Sequence, residues 1–185
     1  MSIYNVRPLR TTQEIQDMLW AIGRTSRHDE RDTFLFLLGI NTGLRVSDLL
    51  NLKVEDLATK RPRIQEQKRK KKRTLFLEGI WKEVQMYTED KKSSDYLFKS
   101  QKGGDRPLST VAVYQMLQKA SILLERDDVG THTMRKTFGY HYYKKTKDIV
   151  GLMTIFNHSS ERETKKYIEI LDEDLAESLK DFRLG

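Results

Sequence analysis

The sequence predicts a mainly α-helical domain with a small antiparallel β-sheet, an α+β fold. Apolar residues recur at helical spacing along most of the chain, and only two short stretches, "RPRIQEQ" and "RTLFL", have strand character. The basic run "KRKKKR" lies between these stretches and is therefore predicted to form a hairpin tip. With 185 residues and 37% hydrophobic content, the chain is long enough to build one domain around its own core.

The first predicted helices have recognisable ends. "TTQEIQDMLWAIG" opens with the capping box Thr11-x-x-Glu14 and is predicted to stop at Gly23. We expect Asp29 to cap a second helix, which should be central and buried because residues 34–40 are apolar on all sides. This helix ends in "NTG", and "LRVSDLLNL" starts another helix.

The rest of the chain continues the helical pattern. "GIWKEVQMY" and "STVAVYQMLQKASILLE", the second capped by Ser109, have helical period and are separated by a long loop. The final third carries four short helical patterns, near residues 133–145, 148–156, 160–169 and 173–182. We expect residues 1–185 to form a single domain, with residues 1–10 extended and residues 172–185 forming an acidic C-terminal helix.

The charge of the chain indicates an anionic partner. The formal net charge is +7, but residues 169–185 contain six acids and two bases, so this tail carries −4 and the remainder +11. Lysines and arginines placed along phosphates gain affinity by releasing counterions, which makes nucleic acid the most economical partner. The sequence therefore predicts a strongly basic body that binds nucleic acid, followed by an acidic tail.

Several classes of protein are excluded or disfavoured. The chain has no cysteine, which excludes disulfides, thiolate metal sites and cysteine nucleophiles. The longest apolar run, residues 34–40, is far shorter than the roughly 20 residues of a membrane helix, and the N-terminus lacks the apolar segment of a signal peptide. We therefore expect a soluble, cytoplasmic protein without a membrane partner.

Three segments contain residues that could carry chemistry. "GTHTMRKTFGYHYYKKTK" places His132 and Arg135 at helical spacing i, i+3, so that both are expected to point out of the core together. "NTGLRVSDLLNL" places Arg45 after a glycine turn at a helix start, with Asp48 positioned to orient it by a salt bridge. "FNHSSERETKKYIEI" places His158 nine residues before Tyr167.

Chemistry alone does not select a nucleophile from these segments. The chain has eight tyrosines, and three of them lie closer in sequence to the H-x-x-R pair than Tyr167 does: Tyr140, Tyr142 and Tyr143.

Together with the basic hairpin, these motifs resemble the catalytic domain of the tyrosine recombinase, or phage integrase, family. The resemblance runs from about Thr11 to Leu171. The family pattern is an arginine in T-G-x-R, a hairpin lysine, H-x-x-R, a histidine or tryptophan, and a nucleophilic tyrosine. Residue by residue, the resemblance implies these catalytic positions: Arg45, Lys68, His132, Arg135, His158 and Tyr167.

The chemistry of a phosphodiester suits these residue types, while the division of roles between His132 and His158 stays open from the sequence. Arg45 and Arg135 would hold the nonbridging oxygens of a phosphodiester, because a guanidinium offers a planar, permanently charged fork. His158 would donate a further hydrogen bond to these oxygens, and His132 would handle the tyrosine proton or assist the phosphate.

For the covalent step, the resemblance implies that Tyr167 attacks and forms a 3′-phosphotyrosine link while Lys68 protonates the leaving 5′ oxygen. This link preserves the bond energy, so that no metal, ATP or other cofactor is required. Three neighbouring lysines are close enough to substitute for Lys68 on a mobile tip: Lys70, Lys71 and Lys72.

The resemblance further implies double-stranded DNA as the partner. We expect DNA contacts from the hairpin and from the first turns after H-x-x-R: Arg69, Lys70, Lys71, Lys72, Arg73 and Lys136. In the family, a C-terminal segment docks onto a neighbouring protomer. The apolar stripe of Leu175, Leu179 and Phe182 fits either this self-association in trans or packing within one chain.

The sequence departs from the family pattern in three places. The hairpin tip lacks the usual glycine, and Asn157 stands where a glycine commonly precedes the histidine, a change that asparagine tolerates because it accepts left-handed backbone angles. About ten residues precede the first helix, so we expect no N-terminal core-binding domain, which would weaken DNA binding and sequence discrimination.

The function expected from all this is site-specific recombination or integration of DNA. Two alternatives remain open from the sequence. One is DNA relaxation of the type IB topoisomerase kind, which uses the same chemistry without a partner site. The other is a non-catalytic accessory or regulatory factor that keeps the fold and binds DNA.

Overall fold

The structure is a computed structural model that describes residues 6–66, 70–101, 104–170, 176–177 and 179–184. Its helices are α1 (Thr12–Thr25), α2 (Asp29–Thr42), α3 (Val46–Leu50), α4 (Trp81–Thr88), α5 (Thr110–Leu123), α6 (Thr133–Thr146), α7 (Ile149–Phe156) and α8 (Glu161–Ile168). Strands β1 (Arg63–Gln65) and β2 (Lys72–Thr74) pair antiparallel. Short 3-10 turns occupy Val54–Leu57 and Glu78–Ile80. The predicted α+β class is confirmed.

The capping box of α1 is confirmed, but the helix runs past Gly23. The Thr11 hydroxyl accepts from the Glu14 amide, and the Glu14 carboxylate accepts from the Thr11 amide. The helix continues to Thr25 because the Thr25 hydroxyl donates to the carbonyl of Ala21, and the chain then closes the last turn through the next amide. These bonds outweigh the low helix propensity of glycine, and the predicted stop at Gly23 is wrong by two residues.

Helix α2 begins at Asp29, with His28 as the N-cap residue, and the His28 side chain makes no capping bond. The prediction that Asp29 caps the helix is therefore wrong by one residue. Asp29 lies in the first turn together with two further acids, where negative charge is favourable near the helix N-terminus. The helix ends at Gly43, whose φ of 61° is the left-handed conformation that glycine adopts readily.

Two hydrophobic clusters meet at α6. Central helix α2 contributes the fully buried Phe36 and Leu38 to the larger cluster and packs on α1 and α6, while α1 also packs on α5. The smaller cluster joins α6 to α7 and α8 through Tyr140, Tyr143, Leu152, Phe156 and Ile168. Helix α6 therefore lies between the two clusters, and its N-terminus brings His132 and Arg135 to their junction.

The two strands form the predicted hairpin. Ile64 is opposite Arg73, and the amide of Glu66 donates to the carbonyl of Lys71 at 2.9 Å. The turn uses Lys70, whose φ is 52°, in a left-handed conformation that a glycine would usually supply. Lys68 and Arg69, both named from the sequence as site residues, lie outside the described residues.

The two ends of the chain are described in part. Residues 6–10 have no helix or strand, and residues 1–5 of the segment predicted to be extended lie outside the described residues. Six of the fourteen residues of the predicted C-terminal helix over 172–185, including Leu175, lie outside the described residues, while residues 176, 177 and 179 are helical. Residues 180–184 are not helical, so the prediction of a helix to the end of the chain is wrong there. In the part of the chain that the structure describes, no helix combines the length and apolar character needed to cross a bilayer.

Candidate active site

Arg45 is held by two carboxylates at the start of α3. It is the N-cap residue of this helix, two positions after the Gly43 turn, as predicted. Its Nη1 lies 3.1 Å from Oε2 of Glu66 and 3.8 Å from Oδ2 of Asp48. The ion pair with Asp48 was expected from the helical spacing, but the shorter ion pair is with Glu66. The Arg45 side chain remains 22% exposed, and its charge acts on both His132 and Tyr167. It can therefore still reach a ligand in the cleft, by which we mean the solvent-accessible surface beside these three residues.

Arg135 lies beneath the cleft and connects two loops. Its Nη1 donates to the carbonyl of Gly43, its Nη2 donates to the carbonyl of Phe156 at 2.9 Å, and its guanidinium carbon lies 4.2 Å from the Phe156 ring centroid. The residue is only 4% exposed. The prediction that His132 and Arg135 point out of the core together is therefore wrong for Arg135, because its guanidinium satisfies backbone carbonyls at the ends of α2 and α7.

Burial also affects the charge of this arginine. Desolvation lowers the pKa of Arg135 to about 10, with Arg45 and Arg73 acting in the same direction and Tyr167 and Glu66 opposing them. The guanidinium stays protonated at neutral pH, and the charge therefore remains available inside the site.

Tyr167 and His132 face each other directly. The Tyr167 hydroxyl oxygen lies 3.1 Å from Nδ1 of His132, and the two rings meet edge to face with centroids 6.2 Å apart. Tyr167 comes from the last turn of α8, and His132 is the N-cap residue of α6. Helices α6 and α8 therefore bring together the tyrosine and the histidine that the sequence separates by 35 residues.

The pKa shifts of this pair have opposite directions. Burial raises the pKa of Tyr167 above its ordinary value, and the positive charges of Arg135 and Arg45 oppose this rise. Desolvation, followed by the charges of Lys136, Arg135 and Arg45, lowers the pKa of His132 below 6.5, although part of the ring remains accessible to solvent. At neutral pH a neutral imidazole thus faces a protonated phenol.

His158 lies on the other side of the Tyr167 ring. The two ring centroids are 5.2 Å apart, and Nδ1 of His158 lies 3.1 Å from the Thr164 hydroxyl. This hydroxyl donates to the carbonyl of Ser160 at 3.0 Å, so it accepts from Nδ1–H of His158. In this arrangement Nε2 carries the lone pair of the neutral ring, and His158 can donate from Nε2 only after taking up a second proton.

Asn157 adopts the left-handed conformation that the sequence predicted, with φ 52° and ψ 50°. Its Oδ1 accepts from Nζ of Lys71 at 2.8 Å. This hydrogen bond brings the basic hairpin to the loop that carries His158. Lys70 and Lys72 are exposed on the same hairpin.

Besides Lys71, two of the predicted DNA contacts have partners within the protein. Arg73 turns inward, donates to the carbonyl of Thr42 and places Nη1 3.7 Å from Oε1 of Glu66. Lys136 donates to the carbonyl of Val6 at 2.6 Å and to the Glu169 carboxylate at 2.8 Å. Both side chains are only 16% exposed, in contrast to the surface positions predicted for them, because buried backbone carbonyls and carboxylates attract them inward.

The other aromatic and histidine candidates have packing roles. Tyr140 and Tyr143 are buried in the smaller cluster, and the Tyr142 hydroxyl donates to Asp148 at 3.2 Å. Nε2 of His141 lies 2.9 Å from the carbonyl of Leu9. Among the described residues, His, Asp and Glu side chains form no group of three that could hold a metal ion.

Glu66 is the residue that sequence reasoning missed. It is 4% exposed and interacts with both Arg45 and Arg73. The signal was present in the sequence, because Glu66 is the one acid between Asp56 and Glu78, a stretch otherwise rich in lysine and arginine. An isolated acid in such a stretch indicates an internal partner for buried basic groups.

The family of the chain follows from its comparison with known proteins. Residues 10–174 match the model of the phage integrase family, and the chain belongs to that family. The resemblance predicted from the sequence motifs is therefore confirmed.

The individual relatives agree with this assignment. The chain is 42% identical over 171 residues to the probable integrase/recombinase YoeC of Bacillus subtilis (strain 168), covering 91% of this chain and 92% of YoeC. It is 28% identical to the tyrosine recombinase XerA of Thermococcus onnurineus (strain NA1), covering 94% of this chain and 62% of that protein. The chain therefore spans nearly all of YoeC and about three fifths of this XerA.

Solved structures share the fold. The crystal structure of XerA recombinase superposes with a TM-score of 0.68 at 23% identity, covering 97% of this chain and 65% of that one. The catalytic domain of bacteriophage HP1 integrase gives a TM-score of 0.66 at 22% identity, with 95% of both chains covered.

Proposed function

We propose that this chain is a site-specific DNA recombinase that cleaves and rejoins strands through a 3′-phosphotyrosine intermediate at Tyr167. The observation that carries the proposal is the approach of the Tyr167 hydroxyl to Nδ1 of His132 at 3.1 Å, beside the charges of Arg45 and Arg135. Membership of the phage integrase family and relatives named as integrases and recombinases favour recombination over topoisomerase-like relaxation or an accessory role.

The proton of Tyr167 has an acceptor in the site. With the ring proton of His132 on Nε2, Nδ1 accepts the hydrogen bond from the Tyr167 hydroxyl and takes its proton as the phenol oxygen attacks phosphorus. The lowered pKa of His132 keeps the ring neutral before attack. The positive charges of Arg135 and Arg45 stabilise the phenolate, which burial alone would disfavour.

The phosphodiester would lie in the cleft against Arg45. As the bond from the Tyr167 oxygen to phosphorus forms, the bond from phosphorus to the 5′ oxygen breaks, and negative charge grows on the nonbridging oxygens. Arg45 is accessible for direct contact with these oxygens, while Arg135 adds charge from beneath and holds the loops on either side. His158, once protonated, would donate from Nε2.

The leaving 5′ oxygen needs a proton, which we assign to a lysine of the hairpin tip. The sequence points to Lys68, which lies outside the described residues. The contact between Lys71 and Asn157 supports a tip that reaches the site, since Asn157 adjoins His158. Reversal of the same steps by a second 5′ hydroxyl would restore the strand without an external energy source.

Double-stranded DNA is the proposed partner, bound with a second copy of the chain. The exposed Lys70 and Lys72 offer phosphate contacts along the hairpin. The tail exposes three large apolar side chains, with Leu179 at 52%, Phe182 at 65% and Leu184 at 83%. This exposure favours docking of the tail on a neighbouring protomer over packing within one chain.

A covalent trap tests the function. The protein would be incubated with a library of nicked duplexes carrying a randomised segment, and adducts resistant to detergent would be recovered, sequenced and mapped by mass spectrometry. We expect adducts on Tyr167 and a recurrent DNA sequence. Detectable binding without any adduct would contradict the proposal and favour an accessory factor.

Relaxation provides the second measurement. We expect no relaxation of a supercoiled plasmid that lacks the recovered sequence. Efficient relaxation of such a plasmid would contradict site-specific action and favour the topoisomerase alternative.

A further inference from the structure

We infer that the Glu66 carboxylate is a positioning group that holds Arg45 in the cleft and joins it to the base of the lysine hairpin. The inference rests on the proposed function, since it concerns the same site. Its first support is geometric: Oε2 of Glu66 lies 3.1 Å from Nη1 of Arg45, closer than the 3.8 Å between Arg45 and Asp48.

The second support is the other side of the same carboxylate. Oε1 of Glu66 lies 3.7 Å from Nη1 of Arg73, and Arg73 donates through Nη2 to the carbonyl of Thr42, three residues before Arg45. The hairpin base therefore contacts Arg45 through the Glu66 side chain and contacts the turn before Arg45 through Arg73. The charge-assisted hydrogen bond from Arg45 orients its guanidinium relative to the strand, while Arg73 adds a longer ion pair to the other oxygen of the same carboxylate.

The third support is the backbone of Glu66, which closes the hairpin tip. Its amide donates to the carbonyl of Lys71, and its carbonyl accepts from the amide of Lys70, both at 2.9 Å. The residue that orients Arg45 thus also anchors the strand ends from which the basic tip extends. Glu66 therefore contacts Arg45 through its side chain and Lys70 and Lys71 through its backbone.

Because Glu66 is buried, its charge is important for holding Arg45 and Arg73. The residue is 4% exposed, and water can replace it only poorly as a partner for Arg45 and Arg73. Without the carboxylate, the Arg45 side chain would sample other rotamers and meet the phosphate in the productive geometry less often. Binding of DNA, which draws on many exposed cations, would change little.

The test compares Glu66→Gln with Glu78→Gln, a matched change at the exposed ion pair with Arg61. With a nicked duplex, we expect Glu66→Gln to slow adduct formation about 10- to 100-fold while DNA affinity changes little, because small displacements of a reacting group have effects of this size. Glu78→Gln should cleave as the parent protein does. Parental cleavage by Glu66→Gln would overturn the inference.

A double variant tests whether Glu66 acts through Arg45. Adding Glu66→Gln to Arg45→Ala should slow adduct formation no further than Arg45→Ala alone. If the fold-losses in the rate of adduct formation of the two single variants multiplied in the double variant, the two residues would act separately, and the inference would be overturned. Should Glu66→Gln fold poorly, Glu66→Gln combined with Arg73→Gln restores local neutrality and should fold, yet still cleave slowly.

A measurement without DNA separates this inference from the proposed function. In ¹⁵N relaxation experiments, the Nε–H group of Arg45 should be rigid in the parent and in Glu78→Gln, and mobile in Glu66→Gln. An equally rigid Arg45 in Glu66→Gln would overturn the positioning role even if the chain formed no adduct. If Arg45 became mobile in Glu66→Gln while neither the parent nor any variant formed an adduct, only the proposed function would be overturned.

Discussion

The guanidinium of Arg135 donates a hydrogen bond to the carbonyl of Gly43, so that an arginine from one motif holds the backbone two residues before the arginine of another. Its second bond, to the carbonyl of Phe156, holds the loop that leads to His158. The site is therefore assembled around a buried cation, and the loops carrying Arg45 and His158 share a single support.

Replacing Arg135 should reduce stability as well as activity. Arg135→Lys keeps the charge but cannot reach both carbonyls, and we expect a loss of about 2–4 kcal/mol in the free energy of unfolding. Urea denaturation followed by circular dichroism would measure it. Arg45→Lys is the control, because the partners of Arg45 among the described residues are the carboxylates of Glu66 and Asp48, beside which a lysine keeps the positive charge, and it should cost less than about 1 kcal/mol. Equal losses in the two variants would contradict the supporting role of Arg135.

Replacing Tyr167 should abolish the covalent adduct. Tyr167→Phe removes only the hydroxyl that faces His132, so the ring should stay packed between His132 and His158, with unchanged DNA binding. Gel electrophoresis in detergent after incubation with a nicked duplex would reveal the adduct. Phenylalanine at Tyr140, Tyr142 or Tyr143 should leave adduct formation intact. Loss of the adduct in one of those variants, with retention in Tyr167→Phe, would identify a different nucleophile.

The rate of adduct formation should fall on the acid side through a group with a pKa below 6.5. The lowered pKa of His132 leaves the ring neutral at pH 7, and protonation as the pH falls through this pKa removes the acceptor for the Tyr167 proton. Single-turnover rates of adduct formation, measured from pH 5 to 8, would show this acid limb, the fall in rate at low pH. His132→Gln should be slower by about 10²-fold or more and should lose that limb. An unchanged acid limb in the variant would assign it to another group.

Gly43 should not tolerate a side chain. Its φ is 61°, and a Cβ there would lie 2.4 Å from Cδ1 of Phe138. We expect Gly43→Ala to destabilise the fold by about 1–3 kcal/mol and to slow cleavage, because the turn places Arg45. Gly23→Ala in α1 meets nothing within 4 Å and should stabilise the protein by about 0.5–1 kcal/mol. Thermal unfolding of both variants would check that the two changes in stability have opposite signs.

The hairpin lysines should divide into two groups. Lys68→Ala should slow cleavage more than it weakens binding, since Lys68 is assigned to the leaving oxygen. Lys70→Ala should leave the chemical step unchanged and reduce the slope of log affinity against log salt by about 1. Salt titrations and single-turnover rates would separate the effects. Equal binding losses with equal cleavage rates would contradict this division.

Much of the fold follows from local sequence signals. The capping box at Thr11, the Gly43 turn and Ser109 each mark a helix end, and the structure has them as predicted because these interactions are made within one turn of the chain. The errors at Gly23 and Asp29 are also local. In both places, hydrogen bonds of neighbouring residues shift the helix end by one or two positions.

The inward-facing charges could not be predicted in the same way. Motif spacing placed Arg135 on a helix but not beneath the cleft, because its carbonyl partners come from loops 92 and 21 residues away. For the same reason, the sequence predicts surface positions for Arg73 and Lys136, although both side chains have partners within the protein. Such long-range hydrogen bonds depend on how α2, α6 and α7 pack, which periodicity does not encode.

Lys136 and Glu169 link the N-terminal segment to helix α8, which carries Tyr167. Lys136 joins the carbonyl of Val6 to the carboxylate of Glu169, and Arg10 reaches the carbonyl of the same glutamate at 3.3 Å. Glu169 follows Tyr167 by two residues and caps the end of α8. Polar contacts therefore connect residues 6–10 to the residue that ends α8, two positions after Tyr167.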